Sequence, residues 1–288
     1  MLLCNRHLVV VLRYPCLVTW ALWHHLLHPP AHPVYQRTLR TPIDSGMRRF
    51  IAGIVLLFGS LICSGIWTLV PLKLPTPMLL LIAMVALSSC YVVAWVIGIS
   101  VTITSEHERG TYDQLCVSPS GALGANWAMC AASLHRADAL VWIDLLRRLL
   151  SGLLLLILLM VLLTSALREN APDLFQLLGL VVDILLLATL LYVEHVQSVV
   201  QGSLVGMLMS MYSRTNIDAR VLAVLMFLFL QAVTLLVTFF ATMGVLPGLD
   251  AEFISTTLIL LVFYLTREGF IFAFWRLLAY RWIPELLS

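Results

Sequence analysis

Charge is scarce in this sequence. Asp, Glu, Lys and Arg make up 11% of its 288 residues against 61% hydrophobic ones, an apolar surplus beyond what the core of one soluble domain can use. Lysine is almost missing, since sixteen Arg accompany the single Lys73. A phosphate-binding P-loop needs Gly-Lys-Ser/Thr, whereas Lys73 stands between Leu72 and Leu74, so the chain is not a P-loop ATPase by itself. The formal charge of +2 is too near balance for a chain built to neutralise nucleic-acid phosphates, and no nucleic-acid partner is expected. The six Cys (4, 16, 63, 90, 116 and 130) form no C-x-x-C pair and no regular spacing. They read as small apolar side chains, not as a zinc site or a disulfide framework.

Other chemistries are equally thin. The run Trp23-His-His-Leu-Leu-His-Pro-Pro-Ala-His32 has no second His box among His7, His107, His135 and His195, so a metal-dependent oxygenase is not indicated and no metal is expected. No nucleophile-elbow constellation occurs, and Gly121-Ala-Leu-Gly124 is too short for a dinucleotide fingerprint. No catalytic residue is assigned.

What is present is a set of long apolar runs. Crossing the hydrocarbon as a helix takes about 20 residues at 1.5 Å each, because backbone amides cannot stay unsatisfied in lipid. Six stretches qualify: Phe50 to Val70, Met78 to Ile103, Leu149 to Leu167, Leu174 to Met211, Val221 to Val245 and Ile254 to Trp275. The expected fold class is an all-α integral membrane protein with six transmembrane helices, an N-terminal interfacial helix and a cytoplasmic loop. Short connections at 71–77, 168–173 and 247–252 read as external turns. Fourteen Arg then fall on the opposite side and only Lys73 and Arg168 outside, a positive-inside bias that puts both termini in the cytoplasm. The expected organisation is a cytoplasmic or interfacial segment 1–49, a six-span domain 50–275 with a cytoplasmic loop 104–148, and a cytoplasmic tail 276–288.

Leu8 to Leu27 is membrane-seeking but carries Arg13, Pro15, His24 and His25. It is read as a helix in the cytoplasmic interface with Trp20 and Trp23 at headgroup level, a seventh span being the competing reading. In the loop, Ala122 to Leu134 and Ala137 to Leu150 are expected as further interfacial helices, with binding to a partner surface as the alternative.

The most informative polar segment follows the second span: Thr104-Ser-Glu-His-Glu-Arg-Gly-Thr-Tyr-Asp-Gln-Leu-Cys-Val-Ser-Pro119. Glu106, Glu108 and Arg109 hold a turn in water, Gly110 permits a sharp break, Thr111 can cap a short helix begun by Tyr112, and Pro119 ends it. This run resembles the permease subunits of ABC-2-type ATP-binding-cassette transporters, in which a span is followed by Glu-x-Glu-x-Gly-Thr...Leu...Ser/Thr-Pro. Glu106, Glu108, Gly110, Thr111, Leu115, Ser118 and Pro119 supply those positions. His32-Pro-Val-Tyr-Gln-Arg-Thr-Leu-Arg40 is similar to the family's entry to the first span, with His32 and Thr38 in place of the usual Asn and Glu. Gly202 to Arg220 is similar to its passage from fourth to fifth span. The stretch Ser120 to Arg148 is longer than the family usually has.

The resemblance implies a permease in the plasma (inner) membrane, more often for export, with the cytoplasmic loop as its coupling-helix loop. It would couple through Glu106, Glu108, Arg109, Gly110, Thr111, Leu115 and Pro119 to a separate ATPase subunit. ATP and Mg would be bound by that partner, with no cofactor held directly. A second permease copy, or a related permease, would complete the pathway across the bilayer.

Charges inside a span are costly and usually face a bundle interior, a partner or water. Asp183, Glu194, His195, Gln197, Ser198 and Gln201 lie on the fourth stretch. At 100° per residue Asp183 and Glu194 are about 20° apart in azimuth, and Gln201 returns to the azimuth of Asp183, so they form one polar stripe. Arg267 and Glu268 lie in the sixth span, and an Arg267 pairing with Glu194 or Asp183 would lower the insertion cost. Such a set serves a translocation pathway, a structural ion pair or a snorkelling site near the interface. Ser198, Gly202, Gly206 and Ser210 recur every four residues as a small-residue ridge for helix packing, either within the chain or between two copies. From a different class, an ATP-independent ion- or proton-coupled transporter or channel using Asp183, Glu194 and His195 stays open, as does a membrane scaffold without transport.

Overall fold

The structure is a computed structural model, and it describes residues 18–28, 33–40, 53, 76–112, 121–135, 152, 174–213, 215–245 and 252–282. The described residues form seven α-helices and no strand: α1 Val18–Leu27, α2 Pro33–Arg40, α3 Thr76–Glu108, α4 Gly121–His135, α5 Leu174–Tyr212, α6 Asn216–Val245 and α7 Glu252–Trp282. The expected spans Phe50 to Val70 and Leu149 to Leu167 lie, but for Gly53 and Gly152, outside the described residues, as do Leu115 and Pro119. Among the described residues one helical stretch, Asn216–Ala241, is long and apolar enough to cross a membrane.

Four helices are long. α3 has 33 residues, α5 39, α6 30 and α7 31. The overlong fourth stretch is a single unbroken helix, on the order of 58 Å from end to end. α6 starts five residues before the apolar run does, because Thr215 caps it. The Thr215 hydroxyl accepts the Asp218 N–H at 3.2 Å and donates to the Asp218 carboxylate at 2.8 Å, an N-cap written in the sequence as Thr-Asn-Ile-Asp. α7 continues through Arg276 and Arg281 instead of ending at Trp275.

α3 and α5 form the central pair, and α6 and α7 pack beside them. The small-residue ridge works within the chain. A Cβ on Gly202 would sit 2.5 Å from Val92 Cγ1 and 2.9 Å from Val96 Cγ2, and one on Gly206 would sit 3.0 Å from Ile99 Cγ2. Removing those two side chains lets the α5 backbone approach α3 closely. Trp95 then fills the space beside the ridge, its indole N–H donating to Ser203 at 3.0 Å.

α1 packs on α5 and α7, and α2 and α4 pack on each other, with α4 also touching α3, α7 and α1. Both Trp20 and Trp23 were expected at headgroup level, and the structure separates them. Trp23 is buried edge-on to His195, whereas Trp20 remains exposed over Tyr192. α4 is helical as the pattern of Ala122 to Leu134 suggests, and it is packed within the chain. Ala125, Met129, Cys130 and Ala131 are fully buried, and Trp127 meets Trp275 of α7 edge-on at 6.0 Å. Its small residues suit burial all round, where an interfacial helix would keep one wet face. Burial pushes the Cys130 thiol well above the ordinary thiol range.

Candidate functional site

Two polar constellations stand out. The first is the end of α3. The helix continues through Thr104 to Glu108, so the acidic residues expected in a turn are its last helical turn. It stops at Gly110, whose φ of +66° is a left-handed conformation that a Cβ would oppose. The Gly110 N–H donates to His107 O at 3.0 Å and the Thr111 N–H to Glu106 O at 3.2 Å, which together make a Schellman closure. The Thr111 hydroxyl also turns back, donating to a Glu106 carboxylate oxygen at 2.5 Å. Thr111 thus seals the helix that precedes it. Its expected role as cap of a following helix falls beyond Tyr112, outside the described residues.

The two carboxylates of this turn are committed in different directions. Glu106 accepts from Arg37 of α2 at 3.5 Å and lies 3.8 Å from Arg109. Glu108 reaches α6: its Oε1 accepts the Asn216 N–H at 3.0 Å, and its Oε2 accepts from the Asn216 side-chain amide. Arg109 and Arg37 remain largely exposed. Tyr112 stacks on His107 and accepts a hydrogen bond from Asn126 of α4 at 2.7 Å, which ties the start of the following loop to α4.

The second constellation lies between α5, α6 and α7. Arg267 is fully buried, and its Nη1 donates to Glu194 Oε1 at 2.9 Å. Its Nη2 donates to Gln231 Oε1 of α6 at 2.5 Å, and its guanidinium lies 5.0 Å from the Phe263 ring centroid. Ser198 donates to the same Glu194 oxygen at 2.8 Å. The next residue, Glu268, faces elsewhere. It accepts from Gln197 of α5 at 3.2 Å, from the Thr19 N–H at 3.2 Å and from the Thr19 hydroxyl, so one carboxylate satisfies the first turn of α1.

Of the two partners considered for Arg267, Glu194 is the one it meets. Asp183 lies in α5, among positions whose side chains are outside the described set. His195 is placed on the α1 side, beside Trp23. Gln201 is fully buried, and neither its amide nitrogen nor its oxygen has a partner among the described residues. Ser210 donates to Met207 O, within its own helix. The Arg267–Glu194 pair is enclosed by its own chain, a geometry that ties three helices together.

Sequence reasoning missed Gln231, Thr19, Asn216 and Arg37. Gln231 carried a usable signal, being the lone carboxamide in the apolar run Val221 to Val245. Among the described residues no group of three or more His, Cys, Asp or Glu is arranged to hold a metal ion. Comparison of the chain with models of known protein families, with curated proteins and with solved structures finds no match.

Proposed function

We propose that this chain is the membrane-embedded permease subunit of an ABC transporter. The observation that carries the reading is a set of polar side chains buried among the long helices beneath exposed faces that are apolar. α6 buries Gln231, Thr234 and Thr238 and exposes Val221, Leu225, Phe229, Leu236 and Phe240. α7 buries Arg267 and exposes Leu261 and Leu265, while α5 buries Glu194, Gln197 and Gln201. Water as solvent selects the opposite arrangement. Hydrocarbon favours this one, because polar groups must then find partners inside the bundle. Val221 to Phe240 on α6 spans on the order of 30 Å, the thickness of a bilayer core.

Six spans, both termini in the cytoplasm of a plasma membrane and a coupling region at Glu106 to Pro119 complete the reading. Arg109 and Arg37, exposed beside the Gly110 break, suit contact with an acidic surface on a separate ATPase subunit that binds ATP and Mg. A second permease copy, or a related permease, would close the pathway, and export is the expected direction. The ATPase partner would shift the chain between inward- and outward-facing states if its nucleotide-bound and nucleotide-free forms bind those states unequally.

The test is affinity purification of the tagged full chain from its native membrane in mild detergent. A nucleotide-binding subunit retained by the wild type and lost on Arg109→Glu supports the reading. A chain found in the soluble fraction, or one carrying no such subunit while showing flux driven by a proton gradient, overturns it.

A further inference from the structure

The Glu106 and Glu108 positions of the loop resemblance invite one shared role, contact with the ATPase, and the geometry separates them. Glu108 is exposed, yet its carboxylate is committed within the chain. Its two oxygens grip the first residue of α6, one on the Asn216 N–H at 3.0 Å and the other on the Asn216 amide. A helix N-terminus carries orphan N–H groups and partial positive charge, so a carboxylate is the side chain best suited to hold it. The Schellman closure at Gly110 fixes the end of α3 on the other side of this contact. Further along, α6 supplies Gln231, whose Oε1 accepts from buried Arg267 at 2.5 Å, and Arg267 is bound in turn to Glu194 of α5.

Resting on the permease reading, we infer that Glu108 is a transmission residue: it positions the start of α6 on the α3 knuckle, so that a displacement of the knuckle by the ATPase enters the bundle through α6 and reaches the Gln231–Arg267–Glu194 clasp. It is a positioning residue, not a docking contact. Glu106, turned to α2 and its own loop, does not share this route.

The experiment uses the full chain co-purified with its ATPase, and follows amide hydrogen exchange of residues 216–220 with and without ATP, Mg and vanadate. Glu108→Gln removes the charge but keeps an acceptor. Asn216→Asp sets a like charge against Glu108 from the α6 side, and serves where the first variant is too mild or fails to fold. For both, the ATPase is retained, basal exchange at 216–220 rises about threefold or more, and the nucleotide-dependent change present in the wild type is lost. An unaltered nucleotide response in both variants overturns the inference and leaves the permease reading intact. Loss of the ATPase on Glu108→Gln also overturns it, by making Glu108 a docking contact. A wild type that carries no ATPase overturns the reading itself and the inference with it.

Discussion

Arg267 and Glu194 meet at 2.9 Å across 73 residues of sequence, with both side chains withdrawn from solvent. The two groups neutralise each other in a place where either alone would be costly, and Gln231 and Ser198 add one hydrogen bond to each, while Arg267 Nε meets no acceptor among the described residues. Breaking such a pair from one side leaves a buried charge uncompensated.

Glu194→Gln and Arg267→Gln are each expected to destabilise the chain by about 3–5 kcal/mol. The double substitution is expected to cost clearly less than the sum. Thermal unfolding of the four proteins in one detergent, followed by tryptophan fluorescence, closes the cycle, and strictly additive losses would show the two residues to be uncoupled.

Gly202→Ala is expected to cost about 1–3 kcal/mol, because the added methyl falls 2.5 Å from Val92 Cγ1. Gly206→Ala is expected to cost less, its nearest contact being 3.0 Å. Val92→Ala should rescue much of the Gly202→Ala loss and little of the Gly206→Ala loss, a pattern read from the same melting curves.

Gly110→Ala places a Cβ in the left-handed region at φ +66°, at a cost of about 1–2 kcal/mol, although nothing lies within 4 Å to clash with it. Asn, which tolerates that conformation, should cost less. Hydrogen exchange at residues 105–111 is the readout, and equal protection in the Ala and Asn variants would count against a backbone origin.

Cys130 should resist maleimide in the folded chain at pH 7 to 9 and react once the chain is unfolded. Its thiol binds a proton more tightly when folded than when unfolded. The stabilisation is therefore present below the ordinary thiol range and falls as pH rises above it. Melting temperatures of wild type and Cys130→Ala across pH 7 to 10 test the sign: the wild type should lose more on the alkaline side.

Much of this was legible in the sequence. The four long helices follow from apolar runs, and the partnership of Arg267 follows from the expense of a lone charge on an apolar helix. The end of α3 at Gly110 could be read from a glycine placed after an acidic turn. What escaped was set by tertiary geometry. Nothing in the spacing of Glu108 marks it for Asn216, since that bond needs the ends of α3 and α6 brought side by side. Burial of α4 was likewise hidden, because its Ala-rich run is compatible with a lipid surface or a protein groove, and the packing of α2, α3 and α7 around it is a tertiary matter. The ridge at Gly202 and Gly206 was visible as a ridge, but its mate on α3 was not.

α5 runs without a break for 39 residues, and Gly202 and Gly206 press its C-terminal third against α3. Roughly 40 Å of the rod extends beyond that fulcrum toward Leu174. A tilt of about 5° at the glycines would sweep the far tip by some 3–4 Å, and the bond from Glu194 to Arg267, placed on the arm just past the glycines, is a brake on that swing.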